Sequence, residues 1–134
     1  MQSRSVTGSA ESGADPAAVV AVLADPPRIP AWAPGFADAV TGDEASGWRV
    51  TKDGQDFTVR VVANPDARTV DYLREVAPGR VGGAYLRAIP RPGGGSVVIM
   101  TLPVPPGADA ADVADVAATL HDELAALVRL AEGA

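Results

Sequence analysis

The sequence predicts an α+β domain in which a curved antiparallel sheet of six to seven strands wraps around one long C-terminal helix. Between Asp109 and Ala131 the apolar residues recur in steps of three and four, which is the period of one helical face. Between Phe36 and Pro103 turn residues divide the chain into short segments typical of β-strands. A long amphipathic helix needs a partner surface, and the sheet is the candidate. We therefore expect a cavity between the helix and the sheet.

The chain begins with one predicted strand and two short helical segments. Residues 4–12 alternate weakly between apolar and polar and predict an edge strand. Asp15-Pro16 has the pattern of an N-cap followed by proline at the first helical position, and the sequence DPP at 25–27 ends that helix. Residues 28–36 contain too many prolines for an ordinary helix and predict a helical bend.

The remaining strands form a predicted meander. Their turns are marked by the sequences Asp-Gly, Asn-Pro-Asp, Pro-Gly and Pro-Gly-Gly, residue types that favour tight turns. The predicted strands are 36–41, 47–52, 56–63, 68–76, 80–90 and 95–103. Three prolines and a glycine between positions 103 and 107 then separate the sheet from the last helix, whose buried stripe is expected to carry Val113, Val116, Leu120, Leu124, Leu127 and Ala131.

Tight turns also predict which side chains share a face, because residues directly opposite one another point to the same side. In this register Tyr72 lies opposite both Val59 and Tyr85, and Arg87 lies opposite Ile99. The face toward the helix would then carry Trp48, Val50, Phe57, Val59, Val61, Val70, Tyr72, Tyr85, Ile89, Val97 and Ile99.

The last two strands leave a second assignment open. Their opposite face is apolar too, with Leu86, Ala88 and Met100 among its residues. A β-bulge would exchange the two faces, and Gly82-Gly83 is a candidate position for one. Met100 would face the cavity only in that case.

Composition and charge exclude several classes of function. The chain has 134 residues, enough for one domain over 1–134, and a net charge of −6 with no basic run, which disfavours nucleic acid as a partner. One histidine and no cysteine disfavour a metal site, and no pattern indicates a cofactor. The sequence has no signal-like N-terminus and no apolar run long enough for membrane insertion, so we expect a cytoplasmic protein.

Several short motifs, taken with the order of the elements, resemble those of one superfamily. Near the N-terminus they are Ala14-Asp15-Pro16, Leu23-Ala24-Asp25 and Trp32 in the proline-rich bend. Near the C-terminus they are the glycine-rich turn of RPGGGSVVIMT and the leucine-rich stripe of TLHDELAALVRLAEG. In these features the chain resembles the START-like, SRPBCC superfamily of polyketide cyclases and lipid-transfer proteins. The resemblance implies a helix-grip fold over nearly the whole chain, and it implies no universal catalytic motif.

Two tyrosine–arginine pairs are the best candidates for catalytic groups. Tyr72 and Arg74 lie two positions apart on one predicted strand, and Tyr85 and Arg87 do so on the next. A phenol can exchange hydrogen bonds, and a guanidinium can hold a carboxylate or an enolate. In the resembled cyclases such groups orient a poly-keto chain and stabilise its enolate. The alternative is that the tyrosines belong to the core and that the arginines pair with acidic residues at its rim.

His121 is a further candidate, because it is the only side chain that titrates near neutral pH without help. It lies at the shoulder of the apolar stripe of the last helix. It could act as a general acid or base at the cavity mouth, or it could simply cover the edge of the sheet. The acidic pairs Asp43-Glu44 and Asp122-Glu123 are interpreted as solvated surface.

A ligand in the cavity would contact side chains from the bend, the sheet and the helix. The resemblance places the bend at the cavity entrance. The predicted ligand-binding residues are Trp32, Phe36, Trp48, Phe57, Val59, Tyr72, Tyr85, Ile99, Met100, Ala117, Leu120 and His121.

Three functions stay open from the sequence. The first is a monomeric or homodimeric binding protein for a small hydrophobic, lipid- or polyketide-like molecule. The second is a polyketide cyclase, aromatase or dehydratase that uses the tyrosine, arginine and histidine candidates. The third is an interaction domain whose cavity is vestigial. Low aromatic content, 4% of the chain, argues mildly against a dedicated aromatic-polyketide site and favours binding.

Overall fold

Seven antiparallel strands curve around one long helix, with two short helices after the first strand. The computed structural model describes residues 4–133. The strands are β1 (Arg4–Ser12), β2 (Ala39–Asp43), β3 (Gly47–Lys52), β4 (Gln55–Asn64), β5 (Thr69–Ala77), β6 (Arg80–Pro90) and β7 (Ser96–Val104), and the helices are α1 (Pro16–Leu23), α2 (Ile29–Trp32) and α3 (Ala110–Ala131).

The strand order in the sheet is β1-β7-β6-β5-β4-β3-β2. Strands β2 to β7 form a meander, and β1 pairs with β7 along its whole length. The helix-grip fold that the sequence predicted is therefore confirmed. Among the residues that the structure covers, no helix is both long and apolar enough to span a membrane.

The chain between β1 and β2 forms a cap at one end of the helix–sheet space. Asp15 occupies the N-cap position of α1 and Pro16 its first turn, although the Asp15 side chain makes no capping hydrogen bond. Pro26–Arg28 form a 3₁₀ turn that leads directly into α2. Leu23, Ile29 and Trp32 are all buried, so this bend packs its apolar side chains inward.

Helix α3 is held at both ends. At its N-terminus the Asp109 side chain accepts a hydrogen bond from the Asp112 N–H, and the Asp112 side chain accepts one from the Asp109 N–H, which is a capping box. Past its C-terminus, the Glu132 carboxylate accepts hydrogen bonds from the Gly13 N–H at 2.7 Å and from the Ser12 hydroxyl at 3.2 Å. The capping box stabilises the start of α3, whereas the Glu132 contacts tie its other end to the end of β1.

The helix approaches β1 closely where the strand has no side chain. A Cβ atom built on Gly8 would lie 2.5 Å from the Leu120 side chain. Leu120 fills this space and is buried, as are Leu124 and Leu127 along the same face. Leu120 is thus a core residue of the helix–sheet contact.

The predicted register is correct for the hairpin of β3 and β4 and wrong for the hairpin of β4 and β5. Trp48 lies opposite Val59, as predicted. Tyr72 lies opposite Val61 rather than Val59, because the connection between β4 and β5 is a four-residue turn that closes between Asn64 and Thr69. The shift is two residues, so these side chains keep the face that was predicted for them.

In the hairpin of β5 and β6, the side chains of β6 lie on the opposite face of the sheet from the one predicted. One extra residue in β5, between Glu75 and Ala77, shifts the register with β6. Tyr72 therefore lies opposite Ala84, and the predicted pairing with Tyr85 is wrong. A bulge does exist, but it lies on β5 and not at Gly82-Gly83 on β6.

The exchange determines which side chains of β6 and β7 reach the core. Leu86, Ala88, Val98 and Met100 are buried on the inner face. Arg87 lies opposite Ile99, as predicted, but the pair lies on the outer face of the sheet together with Tyr85, Ile89 and Val97.

Candidate functional site

A cavity of about 300 Å³ lies between the inner face of the sheet, the bend around α2 and helix α3. Its wall is mainly apolar and includes few polar side chains. The lining residues are Ile29, Trp32, Ala33, Gly35, Phe36, Val59, Tyr72, Leu73, Arg74, Gly83, Ala84, Met100, Leu102, Thr119 and Glu123.

Aromatic side chains shape one side of this cavity. The Trp32 and Tyr72 rings pack at a centroid distance of 6.0 Å with a 44° tilt, and Phe36 meets Phe57 edge to face at 5.5 Å. The Tyr72 hydroxyl donates a hydrogen bond to the Leu23 carbonyl at the end of α1. Burial also raises the pKa of Tyr72, so its phenol stays neutral. Tyr72 thus presents its ring to the cavity and uses its hydroxyl to hold α1.

Arg74 brings a cation to the same cavity from β5. Its guanidinium carbon lies 4.0 Å from the centroid of the Phe57 ring, which gives a cation–π contact. Its Nε is buried and has no hydrogen-bond partner within residues 4–133. Residue 82, directly opposite on β6, is glycine, so no side chain from there competes for the space. The guanidinium is therefore held in place by packing.

Glu123 faces the cavity from α3. The residue is only 8% exposed, although it belongs to the acidic pair that the sequence analysis interpreted as solvated surface. That interpretation is wrong for Glu123 and right for Asp122, which is exposed. Burial, with a smaller contribution from the neighbouring Asp122 charge, raises the pKa of Glu123 to about 7. The cavity therefore contains a carboxyl group that titrates near neutral pH.

The pattern of α3 contained the signal that was missed. Glu123 lies three residues after Leu120 and four before Leu127, so it shares the face of both buried leucines. Thr119, four residues before Glu123, also reaches the cavity. A charged residue on the apolar stripe of a helix therefore indicates a candidate cavity residue.

About half of the predicted ligand-binding residues line the cavity. Those that do are Trp32, Phe36, Val59, Tyr72 and Met100, together with the catalytic candidate Arg74. Phe57 lies behind them and supports Phe36 and Arg74.

The other predicted site residues lie elsewhere. Tyr85, Arg87 and Ile99 are separated from the cavity by the sheet, because of the bulge in β5. Trp48 packs against the core, and His121 is exposed on α3, where it does not line the cavity.

The two remaining helix positions also differ from expectation. Leu120 packs against β1 at Gly8 and is not part of the cavity wall. Ala117 is half-buried and likewise does not line the cavity. The α3 residues that line the cavity are Glu123, which is buried, and Thr119, which is exposed.

A metal centre has no support in the part of the chain that the structure describes. No group of three or more His, Asp or Glu side chains there is placed to hold a metal ion. The polar chemistry of the cavity is that of Arg74, Glu123 and Thr119.

Solved structures with the same fold include an aromatase/cyclase. The chain is similar to the Zhui aromatase/cyclase from Streptomyces sp. R1128, with a TM-score of 0.74 and 21% identity, over 98% of this chain and 94% of that one. It is also similar to an uncharacterized protein from Bacillus thuringiensis, with a TM-score of 0.72 and 20% identity, over 95% and 98% of the two chains.

A third structure matches over part of its length. The di-domain ARO/CYC BexL from the BE-7585A biosynthetic pathway has a TM-score of 0.71 and 20% identity, over 94% of this chain and 45% of that one. At these identities the likeness concerns the fold.

At the level of sequence, no curated protein matches the chain significantly. The family model described as polyketide cyclase/dehydrase and lipid transport does match, over residues 3–132. Because this match spans nearly the whole chain, the protein belongs to the polyketide cyclase/dehydrase and lipid transport family, as the sequence resemblance predicted.

Proposed function

We propose that this protein binds a small hydrophobic molecule, lipid- or polyketide-like, in the cavity between the sheet and α3, and that residues 1–134 act as one ligand-binding domain. The observation that carries the proposal is the apolar cavity of about 300 Å³. Ligand sites in proteins commonly measure about 300–1,000 Å³ and combine an apolar wall with a few polar groups. At the small end of that range, a one- or two-ring compound or a short acyl chain fits better than a long-chain lipid.

Mass spectrometry under native conditions, on freshly purified protein, tests the proposal for a co-purified ligand. A neutral apolar probe, 2-acetylnaphthalene, then tests binding by calorimetry. We expect Ala84→Leu to weaken probe binding by about tenfold or more, because this half-buried alanine lines the cavity and the larger side chain fills it. Ala63→Leu is the matched control, since Ala63 is exposed at the end of β4 and does not line the cavity. Absence of both a co-purified ligand and probe binding contradicts the proposal.

A second candidate function is catalysis on a polyketide-like substrate, and the shared position of Arg74 and Glu123 favours it. In an intramolecular aldol condensation, an enolate carbon bonds to a ketone carbon, whose oxygen becomes a hydroxyl group. That hydroxyl then leaves with a hydrogen of the adjacent carbon as one water molecule. A guanidinium stabilises the enolate oxygen, and a carboxyl with a pKa of about 7 can give or take a proton near neutral pH. Both groups line the cavity.

Product analysis with a short 3,5,7-trioxo thioester, whose C2 enolate carbon can reach the C7 ketone in a six-membered ring, tests this second function. We expect Arg74→Gln and Glu123→Gln each to lower the yield of cyclised product by about a hundredfold, the lower range for losing an acid–base or anion-stabilising group. Arg87→Gln and Asp115→Asn are matched controls, because both residues are exposed outside the cavity. Cyclisation by wild type at the uncatalysed rate, from a substrate that binds, removes the catalytic function and leaves the binding function standing.

A further inference from the structure

We propose that the ligand is a small organic monoanion, such as an aromatic carboxylate, with its anionic oxygens on Arg74, another oxygen at the Glu123 carboxyl, and its apolar body in the rest of the cavity. The inference rests on the proposed function, because it names the chemistry of the ligand in the same cavity.

The first step of the argument is the state of Arg74. None of the ion pairs found among the described side chains includes Arg74, and its Nε is buried without a hydrogen-bond partner among them, although the residue as a whole is half-buried. A cation–π contact with Phe57 attracts the charge but offers no oxygen acceptor to the guanidinium N–H groups. A buried donor without an acceptor costs about 1–3 kcal/mol. A ligand oxygen near Arg74 would relieve much of that cost.

The second step is the charge of the cavity. Of the lining residues, only Arg74 and Glu123 carry a charge that matters near neutral pH, because Tyr72 is a neutral phenol. No ion pair joins the two groups, so each lacks the partner that would neutralise it. With Glu123 protonated the cavity carries one positive charge, which an anionic ligand neutralises.

The third step is the surroundings of Glu123. Helix α3 packs against β1, β7, α1 and α2, and neither short helix contains a charged residue. The inner positions of β7 are uncharged, and on β1 the charged Glu11 is exposed on the outer face, where it pairs with Arg91. Arg74 across the cavity and Asp122 on the same helix are therefore the charged groups to consider among the described side chains.

Together these observations set the form of the ligand. An apolar wall with one cation and one protonated carboxyl accepts an anion with an adjacent oxygen better than a neutral hydrocarbon. When Glu123 ionises, its carboxylate no longer donates a hydrogen bond to the ligand, and its negative charge repels that of the ligand. Anion binding should therefore weaken as the pH rises through about 7.

Two nearly isosteric probes test the inference, 2-naphthoate and the neutral 2-acetylnaphthalene, with affinity measured by calorimetry. For wild type at about pH 5.5 we expect the carboxylate to bind about tenfold or more tightly than the ketone, the size of one charge-assisted pair. Arg74→Gln should remove that preference, whereas Arg87→Gln, on the outer face of the next strand, should preserve it. Equal affinities of the two probes for wild type would overturn the inference.

The pH dependence gives an independent readout that does not rely on the Arg74 variant. Between about pH 5.5 and about pH 8.5 we expect wild-type affinity for 2-naphthoate to fall about ten- to thirtyfold, since the protonated fraction of Glu123 falls by that amount. Glu123→Gln should keep tight binding at both pH values, because an amide still donates and cannot ionise. A wild-type affinity that does not change with pH contradicts the role of Glu123. If the neutral ketone binds and the carboxylate binds no better, the proposed binding function stands and the anionic ligand does not; if neither probe binds, both fail.

Discussion

Arg74 and Glu123 line one apolar cavity from opposite walls, Arg74 from strand β5 and Glu123 from helix α3, and the structure shows no ion pair between them. This relationship is unusual because opposite charges in an apolar space normally neutralise each other. It is explained when one of them is uncharged, which the raised pKa of Glu123 provides near neutral pH. The proposed anionic ligand would supply the partner that Arg74 lacks among the described side chains.

Replacement of Glu123 by glutamine should stabilise the protein at alkaline pH. In the folded protein Glu123 keeps its proton up to about pH 7, whereas in the unfolded chain it loses it near pH 4.5. Between these values the folded state binds more protons, so the free energy of unfolding of wild type falls as the pH rises and levels off above about 7. One pKa unit corresponds to about 1.4 kcal/mol, so a pKa difference of about 2.5 makes the loss on the order of 3 kcal/mol.

Urea unfolding at about pH 4 and about pH 8 measures this difference. Glu123→Gln should gain that amount relative to wild type at the higher pH and little at the lower one. Asp115→Asn, an exposed carboxyl on the same helix, should follow wild type at both. A stability gap between wild type and Glu123→Gln that is the same at both pH values would mean that the pKa of Glu123 does not differ between the folded and unfolded states.

Replacement of His121 by alanine should change neither ligand binding nor turnover. His121 is exposed and lies outside the cavity wall, two residues from Glu123 on the same helix. We expect less than a twofold change in the affinity for 2-naphthoate. Loss of binding in His121→Ala, with an unchanged melting temperature, would place the histidine in the site after all.

The contrast between His121 and Glu123 shows how far sequence reasoning reached in this fold. The ends of most helices and strands followed from local signals, such as proline after Asp15 and the apolar period that begins after Asp109. In α3 the sequence analysis singled out His121 because imidazole titrates near neutral pH. Glu123 could have been recognised from its position on the buried apolar stripe of the helix. Helical period is a local property of the chain, so this residue was available from the sequence.

The sequence did not determine in the same way which side chains of β6 and β7 point toward the core. One extra residue in β5 exchanges the two faces, and either face of these strands is apolar enough for the core. The burial of Leu86 rather than Tyr85 depends on the register of the whole hairpin. Because strand period is two, a slip of one residue reverses every side chain, and the alternation carried too little contrast to decide it.

Replacement of Gly8 by alanine should destabilise the protein by about 1–3 kcal/mol, the cost of overpacking a core. The added Cβ would lie 2.5 Å from a Leu120 methyl group, so the helix or the leucine must shift. Gly35→Ala is the matched control, since no atom lies within 4 Å of a Cβ there and the residue has no positive φ. The measurement is the free energy of unfolding in urea.

The double variant Gly8→Ala with Leu120→Ala tests whether the contact between these two residues causes the loss of stability. If the contact causes the loss, the double variant should be more stable than the sum of the two single changes by more than about 0.5 kcal/mol. Strict additivity would assign the loss to the strand itself rather than to the approach of α3.

Replacement of Asp109 by alanine should cost about 1 kcal/mol, with a range of about 0.5–2 kcal/mol for the loss of an N-cap. Its carboxylate accepts a hydrogen bond from the Asp112 N–H at 2.8 Å, and its negative charge lies at the positive end of the helix dipole. Asp115→Ala removes an exposed carboxylate six residues further along and should cost less. Asp109→Asn keeps a capping oxygen and should recover most of the loss, as measured by urea unfolding at about pH 7. Equal losses of stability for Asp109→Ala and Asp109→Asn would show that the charge of Asp109, and not its capping hydrogen bond, stabilises the start of this helix.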